Sequence, residues 1–259
     1  MKGKTAIVTG STSGIGHGIA TALAASGCNI MLNGFGDAAE IEAIKANLAK
    51  TYNIKTGYCA ADMTKPAEIR QMVAQAVEEL GSVDILVNNA GIQFTAAVED
   101  FPEDKWDAII AINLSAAFHG SKAAIPHMKK AGWGRIINIA SAHGLVGSPH
   151  KVAYVAAKHG IVGMTKVVAL ETANDGITCN AICPGWVLTP LVKKQIDDRA
   201  KANGTSVEQE EMALLSEKQP MHHFVTPEQL GGLAVFLCSG NGSTTTGTTL
   251  SMDGGWVAE

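Results

Sequence analysis

Seven short, β-branched apolar runs, separated by alanine-rich segments of helical period, leave this chain few ways to fold. TAIVTG, CNIMLNG, KTGYCAAD, VDILVNNAG, GRIINIAS, ITCNAICPG and TTLSMDGG read as strands. GIATALAAS, DAAEIEAIKANLAKTY, PAEIRQMVAQAVEEL, WDAIIAINLSAAFHGSKAAIPHMKK and VAYVAAKHGIVGMTKVVALETA read as helices. The strand runs are continuous rather than alternating in polarity, as in strands covered on both faces. Alternating strands and helices with right-handed crossovers give a doubly wound parallel sheet of the α/β class. At 259 residues, 46% hydrophobic and 17% charged, the chain is expected to form one domain over residues 1–259. One stretch, 186–229, breaks the rhythm with polar, helix-like sequence and is expected to be a substrate-lid insertion.

The formal net charge of -4 and the lack of a basic stripe argue against a nucleic-acid partner. The five cysteines (Cys28, Cys59, Cys179, Cys183 and Cys238) form no CxxC pair and read as buried free thiols in a reducing compartment, with no metal site. MKGKTAIVTG enters a strand directly, without a signal-peptide core, and no apolar stretch is expected to span a membrane. A cytoplasmic location follows as the expectation.

TGSTSGIGHG lies directly after the first strand and opens a helix. Gly10, Gly14 and Gly16 permit a tight turn and bring backbone N–H groups close to a pyrophosphate at the helix N-terminus, although the spacing is G-x3-G-x-G rather than GxGxxG. The end of the second strand, LNGFGD, holds no Lys or Arg for the 2′-phosphate of NADP, and position 17 is His. The acid that would bind the adenosine ribose is absent too, with Gly34 near its place. An unpartnered phosphate is costly to desolvate, so NAD is the expected cofactor. Phe35 reads either as a wall of the adenosine pocket or as core. Asp62 reads either as an acceptor for the adenine amino group or as a helix N-cap.

TGSTSGIG, NNAG at 88–91, INLSA around Asn113, Ser141 thirteen residues before YVAAK at 154–158, and CPGWV together resemble the short-chain dehydrogenase/reductase family over nearly the whole chain. The resemblance implies a Rossmann-type domain with a seven-stranded parallel sheet, assembly as a homotetramer, and NAD(P)-linked oxidation of alcohols or reduction of ketones. It implies a cofactor site in which Gly10, Thr12, Ser13, Gly14, Ile15 and Gly16 form the phosphate turn, and Phe35, Asp62 and Met63 the adenosine end. Asn89, Ala90, Gly91, Pro184, Gly185, Trp186, Val187 and Thr189 would line the nicotinamide and its ribose, with Tyr154 and Lys158. LNGFGD, NNAGIQ, SAHGLVGS, HKVAYVAAKHG, ICPGWVLTPLVKKQI, SEKQP and the terminal DGGW resemble the branch that interconverts (R)-3-hydroxybutyrate and acetoacetate. There Gln93, His143, Lys151 and Gln195 would hold the substrate carboxylate, and Trp256 would close the pocket. Phe94 departs from the His usual at that place and makes its corner more apolar.

Within SAHGLVGSPHKVAYVAAKHG, Tyr154 and Lys158 are four apart and project from one helix face. A phenol of pKa near 10 works at neutral pH only with help, and the neighbouring ammonium is expected to favour the phenolate. Ser141 would hydrogen-bond the reacting oxygen, and Asn113, on the preceding long helix, would steady a water chain from Lys158. Lys151 stands at or before a helix start, poorly placed for the dipole, which hints that it meets a substrate carboxylate. His143 can donate to that carboxylate whether neutral or charged. His150 and His159 read as structural. Trp186 and Leu191 read as apolar walls. The competing readings are a reductase of another ketone or of a 3-ketoacyl thioester, and a non-catalytic cofactor-binding protein. A Ser141–His143 hydrolase lacks the GxSxG elbow.

Overall fold

A computed structural model describes residues 1–258. The seven strands are β1 (Thr5–Val8), β2 (Asn29–Asn33), β3 (Thr56–Cys59), β4 (Ile85–Asn88), β5 (Gly134–Ile139), β6 (Ile177–Pro184) and β7 (Thr249–Met252). They form one parallel sheet in the order β3-β2-β1-β4-β5-β6-β7. The helices are α1 (Gly14–Ala25), α2 (Ala38–Tyr52), α3 (Pro66–Leu80), α4 (Glu103–Ile110), α5 (Ala116–Ala131), α6 (Val152–Thr172), α7 (Pro190–Asn203), α8 (Val207–Ser216) and α9 (Pro227–Cys238). Every residue of β1, β4, β5 and β6 is buried, which explains why their sequences show no polar alternation. One core cluster packs α1 and α9 against one face of the sheet, around Ile19, Leu23, Leu230 and Leu237. Another packs α3 and α5 against the other face, around Met72, Val73, Ala124 and Met128. The strand order reverses between β1 and β4, so the carboxyl ends of these strands flank the crevice where ligands of open α/β sheets bind.

Three features differ from the sequence expectation. The long helix expected over 106–130 is two α-helices joined by a π-helical turn, Ala111–Ser115, and Asn113 sits in that turn. The combined run Glu103–Ala131 is long and apolar enough by composition to cross a membrane, with a mean hydropathy of 1.3 over its most apolar window, contrary to the expectation that no stretch would be. In the fold it packs as a core element against α3, α6 and the sheet. The stretch expected as an insertion over 186–229 contains α7 and α8 but overlaps α9, which begins at Pro227 and belongs to the layer beside α1. A single parallel bridge, Val187 to Val225, ties the two ends of the inserted segment together.

Candidate active site

The glycine turn is shaped by close approach. Gly10 and Gly14 have φ of +61° and +56°, and a Cβ on Gly16 would overlap the carbonyl oxygen of Gly10. Asn89, just past the end of β4, clamps this turn: its Nδ2 donates to the carbonyls of Thr9 (2.8 Å) and Gly10 (3.0 Å). The Thr9 hydroxyl accepts the backbone N–H groups of Asn89 and Ala90 at 2.9 and 3.0 Å. Asn33 ties the neighbouring strand ends, accepting from Gly10 N–H (3.2 Å) and donating to the carbonyls of Cys59 and Ala61 (3.0 Å each). Ser13 caps α1 with backbone alone, and the first turn of α1 carries no acidic side chain. The free N–H groups, the positive helix end and the missing Cβ atoms fit a dinucleotide pyrophosphate.

A cleft of about 420 Å³ opens over this turn. Gly10, Thr12, Ser13, Gly14 and Ile15 floor it, Phe35, Asp62 and Met63 line one end, and Asn89, Ala90, Gly91 and Thr189 the other. Gly16 lies beneath the turn, buried. Phe35 is 68% exposed, which removes the core reading and leaves it as a wall of this cleft. Asp62 does not cap α3, whose N-cap is Lys65. Instead it closes a turn by accepting from the N–H and hydroxyl of Thr64, both at 2.8 Å, and these bonds hold its carboxyl below the usual range. Among the described residues no lysine or arginine lines the cleft.

A second cleft, about 700 Å³, continues from the first across the ends of β5 and β6. Ser141, Tyr154 and Lys158 line it, as do Gln93, Pro184, Gly185, Trp186, Val187, Thr189, Leu191 and Gln195. Ser141 follows β5, its Oγ accepts from the N–H of His143 at 3.2 Å, and its hydroxyl acts to lower the Tyr154 phenol. Lys158, buried on α6, donates from Nζ to the carbonyl of Ile139 at 2.7 Å, and its Nζ lies 5.5 Å from the centre of the Tyr154 ring. Burial pushes the Lys158 ammonium down to about 8. With protein groups alone, burial raises the Tyr154 phenol above its ordinary value and Ser141 pulls the other way.

Asn113 spends both ends of its carboxamide on one residue: Oδ1 accepts from Ile92 N–H and Nδ2 donates to the Ile92 carbonyl, each at 2.9 Å. It thereby fixes the loop that presents Gln93. Phe94, beside it, packs edge-on against Phe101 with centroids 5.6 Å apart and lines the same cleft.

His143, Lys151 and Trp256 do not line this cleft directly but connect to it through the Trp186 and Tyr154 rings, and Trp256 lines an adjoining cavity. Trp186, which is in the lining, lies 6.0 Å from the Trp256 ring, and the Lys151 ammonium lies 5.7 Å from the Trp186 ring. The His143 ring sits edge-on to Trp256 at 5.0 Å and to Tyr154 at 6.0 Å. Burial, reinforced by Lys151 and Lys218, holds the His143 imidazole down at about 4, so at neutral pH it is uncharged and Lys151 carries the local positive charge. Lys151 is itself lowered by burial, with Glu217 opposing. His150 has φ of +63° in the turn before α6 and its carbonyl accepts from Ala96 N–H, while His159 Nδ1 lies 3.0 Å from the Val155 carbonyl. Both are outside the cleft lining.

Several supporting residues escaped the sequence reading. Asn88 and Asn138 form a buried ladder across β4 and β5 (2.8 Å) that ends on Thr165 of α6 (2.9 Å). Asp253 accepts from Gly255 and Val257 N–H, both at 3.1 Å, and so folds the turn that carries Trp256. Gln219 is buried between Trp186 and His223. The capping box of α9, Thr226 with Gln229, and Pro227 at its start were a legible signal for a helix that the reading passed over.

A family model described as "Enoyl-(Acyl carrier protein) reductase" matches residues 10–257. The chain is 61% identical to a D-beta-hydroxybutyrate dehydrogenase of Cupriavidus necator, covering 100% of both chains. It is 56% identical to a D-beta-hydroxybutyrate dehydrogenase of Rhizobium meliloti, covering 99% of both. Among solved structures, L-sorbose reductase from Gluconobacter frateurii, complexed with NADPH and L-sorbose, superimposes with a TM-score of 0.95 at 29% identity, covering 100% of this chain and 98% of that one. The glycine cradle, the Ser141–Tyr154–Lys158 cluster beside it and these full-length likenesses lead to one conclusion: the chain belongs to the short-chain dehydrogenase/reductase family and is an oxidoreductase.

Proposed function

We propose that the protein interconverts (R)-3-hydroxybutyrate and acetoacetate with NAD as cofactor. The observation that carries this reading is the end-to-end identity of 61% with a D-beta-hydroxybutyrate dehydrogenase, in a chain that keeps a serine, a tyrosine and a lysine together in one cleft. A bound nicotinamide dinucleotide supplies the hydride acceptor. For alcohol oxidation, the Tyr154 oxygen takes the hydroxyl proton as hydride leaves C3, and Ser141 donates a hydrogen bond to the reacting oxygen. Lys158, one helical turn from Tyr154, holds the nicotinamide ribose and stabilises the phenolate. Bound beside Tyr154, an oxidised nicotinamide would add positive charge that favours the phenolate together with Lys158. Asn113 steadies the Ile92 loop and a water path from Lys158.

Lys151, His143, Gln93 and Gln195 hold the substrate carboxylate, with Trp186 and Trp256 closing the far wall, so that one face of C3 meets the cofactor. The neutral imidazole donates a hydrogen bond and Lys151 supplies the charge. The adenosine-side lining, which has no lysine or arginine among the described residues, favours NAD over NADP. The segment carrying α7 and α8 acts as the lid of a single domain. Helices α5 and α6 expose Phe118, Val167 and Leu170 (48%, 53% and 81%), in keeping with self-association as a homotetramer in the cytoplasm. A short-chain reductase of another ketone or a 3-ketoacyl thioester would use the same acid/base cluster but would leave Lys151 without a carboxylate. Initial rates with NAD and NADP over (R)- and (S)-3-hydroxy acids separate these. The highest kcat/KM is expected for NAD with (R)-3-hydroxybutyrate, and preference for NADP with a thioester would overturn the reading.

A further inference from the structure

Where the inserted segment returns towards the sheet, one amide turns inward. Gln219 is 1% exposed although Glu217 and Lys218 before it are exposed. Its Oε1 accepts from the backbone N–H of Trp186 at 3.1 Å, at the start of the insertion. Its Nε2 donates to the carbonyl of His223, where the segment turns back. The two partners are of opposite polarity, so they fix which end of the amide points where. Two glycines make room for it: a Cβ on Gly185 would stand 2.7 Å from Gln219 Oε1, and one on Gly254 2.5 Å from its Cγ. A single side chain thus touches the beginning of the insertion, its end and the C-terminal turn.

Two of those three segments carry the tryptophans of the far wall. Gln219 holds the Trp186 N–H while the Val225 N–H holds its carbonyl, and Trp256 follows the Gly254 turn packed on the Gln219 stem. Their rings meet at 6.0 Å, and Lys151 and His143 stand against them at 5.7 and 5.0 Å. We infer that Gln219 is a positioning residue that sets the Trp186–Trp256 wall and thereby the closure of the cleft around the substrate's carboxylate end. The inference rests on the hydroxy-acid reading above. Gln219 acts through the wall.

The test uses the full chain with two substitutions. Gln219→Leu fills similar volume without either hydrogen bond. It is expected to raise KM for (R)-3-hydroxybutyrate about tenfold, with kcat and NAD affinity within about twofold of wild type. The near-ultraviolet circular dichroism of the tryptophan pair should weaken in parallel. Gln219→Glu behaves like the leucine variant at neutral pH, because a carboxylate faces the His223 carbonyl without a proton to donate. On acidification the protonated carboxyl reproduces the amide's donor and acceptor, so KM and the dichroism return towards wild type. Glu217, Lys218, His222 and His223 flank Gln219 in the chain, Asp253 lies beside Gly185, and His143 and Lys151 stand against the two tryptophans; the leucine variant retains all of them and subtracts their titration. The inference is overturned if Gln219→Leu leaves KM and dichroism unchanged. It is equally overturned if the losses fall alike on KM, kcat, NAD affinity and thermal midpoint with no acid recovery in Gln219→Glu. If the dichroism recovers with acid but no variant, nor wild type, turns over hydroxybutyrate, the clamp stands and the substrate reading fails.

Discussion

Replacing His143 by Gln removes a titrating ring from the far wall while keeping a hydrogen-bond donor, and the consequence for stability follows from burial. The unfolded imidazole binds its proton near pH 6.5, whereas in the folded protein it does so only at about 4. Between those values the unfolded state holds more protons, so stability contributed by the neutral ring is complete above pH 6.5 and is lost as pH falls towards 4. The gap, at 1.36 kcal/mol per pH unit, amounts to roughly 3 kcal/mol in full, of which about 2 kcal/mol is lost by pH 5. His143 is 6% exposed, so solvent screening removes little of this. Urea denaturation of wild type and His143→Gln at pH 7.5 and 5 measures it: the wild type should lose about 2 kcal/mol more than the variant. Parallel losses would refute the neutral, desolvated imidazole. So would a break near pH 6.5 in the wild-type KM for hydroxybutyrate that His143→Gln abolishes.

Tyr154→Phe is expected to lower turnover by at least about a hundredfold while leaving NAD affinity, followed by nucleotide fluorescence, within about threefold. Retained turnover would remove the acid/base role. Lys151→Ala is expected to raise KM for hydroxybutyrate about 10- to 100-fold, as loss of a charge-assisted hydrogen bond does, and to change KM for a neutral secondary alcohol far less. Equal effects would show that Lys151 does not read the carboxylate.

The sheet was legible because its strands stand out as short apolar runs, five of the seven ended by glycine or asparagine and the other two by Asp62 and Ser141. Helix α9 showed only its start, the capping box, because Gly231 and Gly232 interrupt its apolar period. The structure gives the reason for Gly231: a Cβ there would stand 2.7 Å from the Ala22 Cβ of α1 and 3.0 Å from the Gly18 carbonyl. Residues that act as pairs in sequence, such as Tyr154 and Lys158, could be placed from helical spacing alone. Gln219 and Asp253 could not, since their partners lie in segments whose meeting depends on how the insertion and the C-terminal turn fold back. Electrostatics was the least legible layer. Sequence places an ammonium beside a phenol, but burial decides the sign of the shift, and burial is a property of the assembled fold.

The π-helical turn at Ala111–Ser115 carries one residue more than a regular helix would need there. Deleting that surplus residue would mend the hydrogen-bond ladder, yet it would swing the side chains on one side of the break by about 100° relative to the other. The carboxamide of Asn113 would then leave Ile92, and the Gln93 loop would lose its anchor. Local regularity and the shape of the cleft are thus opposed at this point: a shortened chain would gain helical order while losing the anchor of the loop that lines it. A search for stabilised variants scored on heat resistance alone would reward that trade.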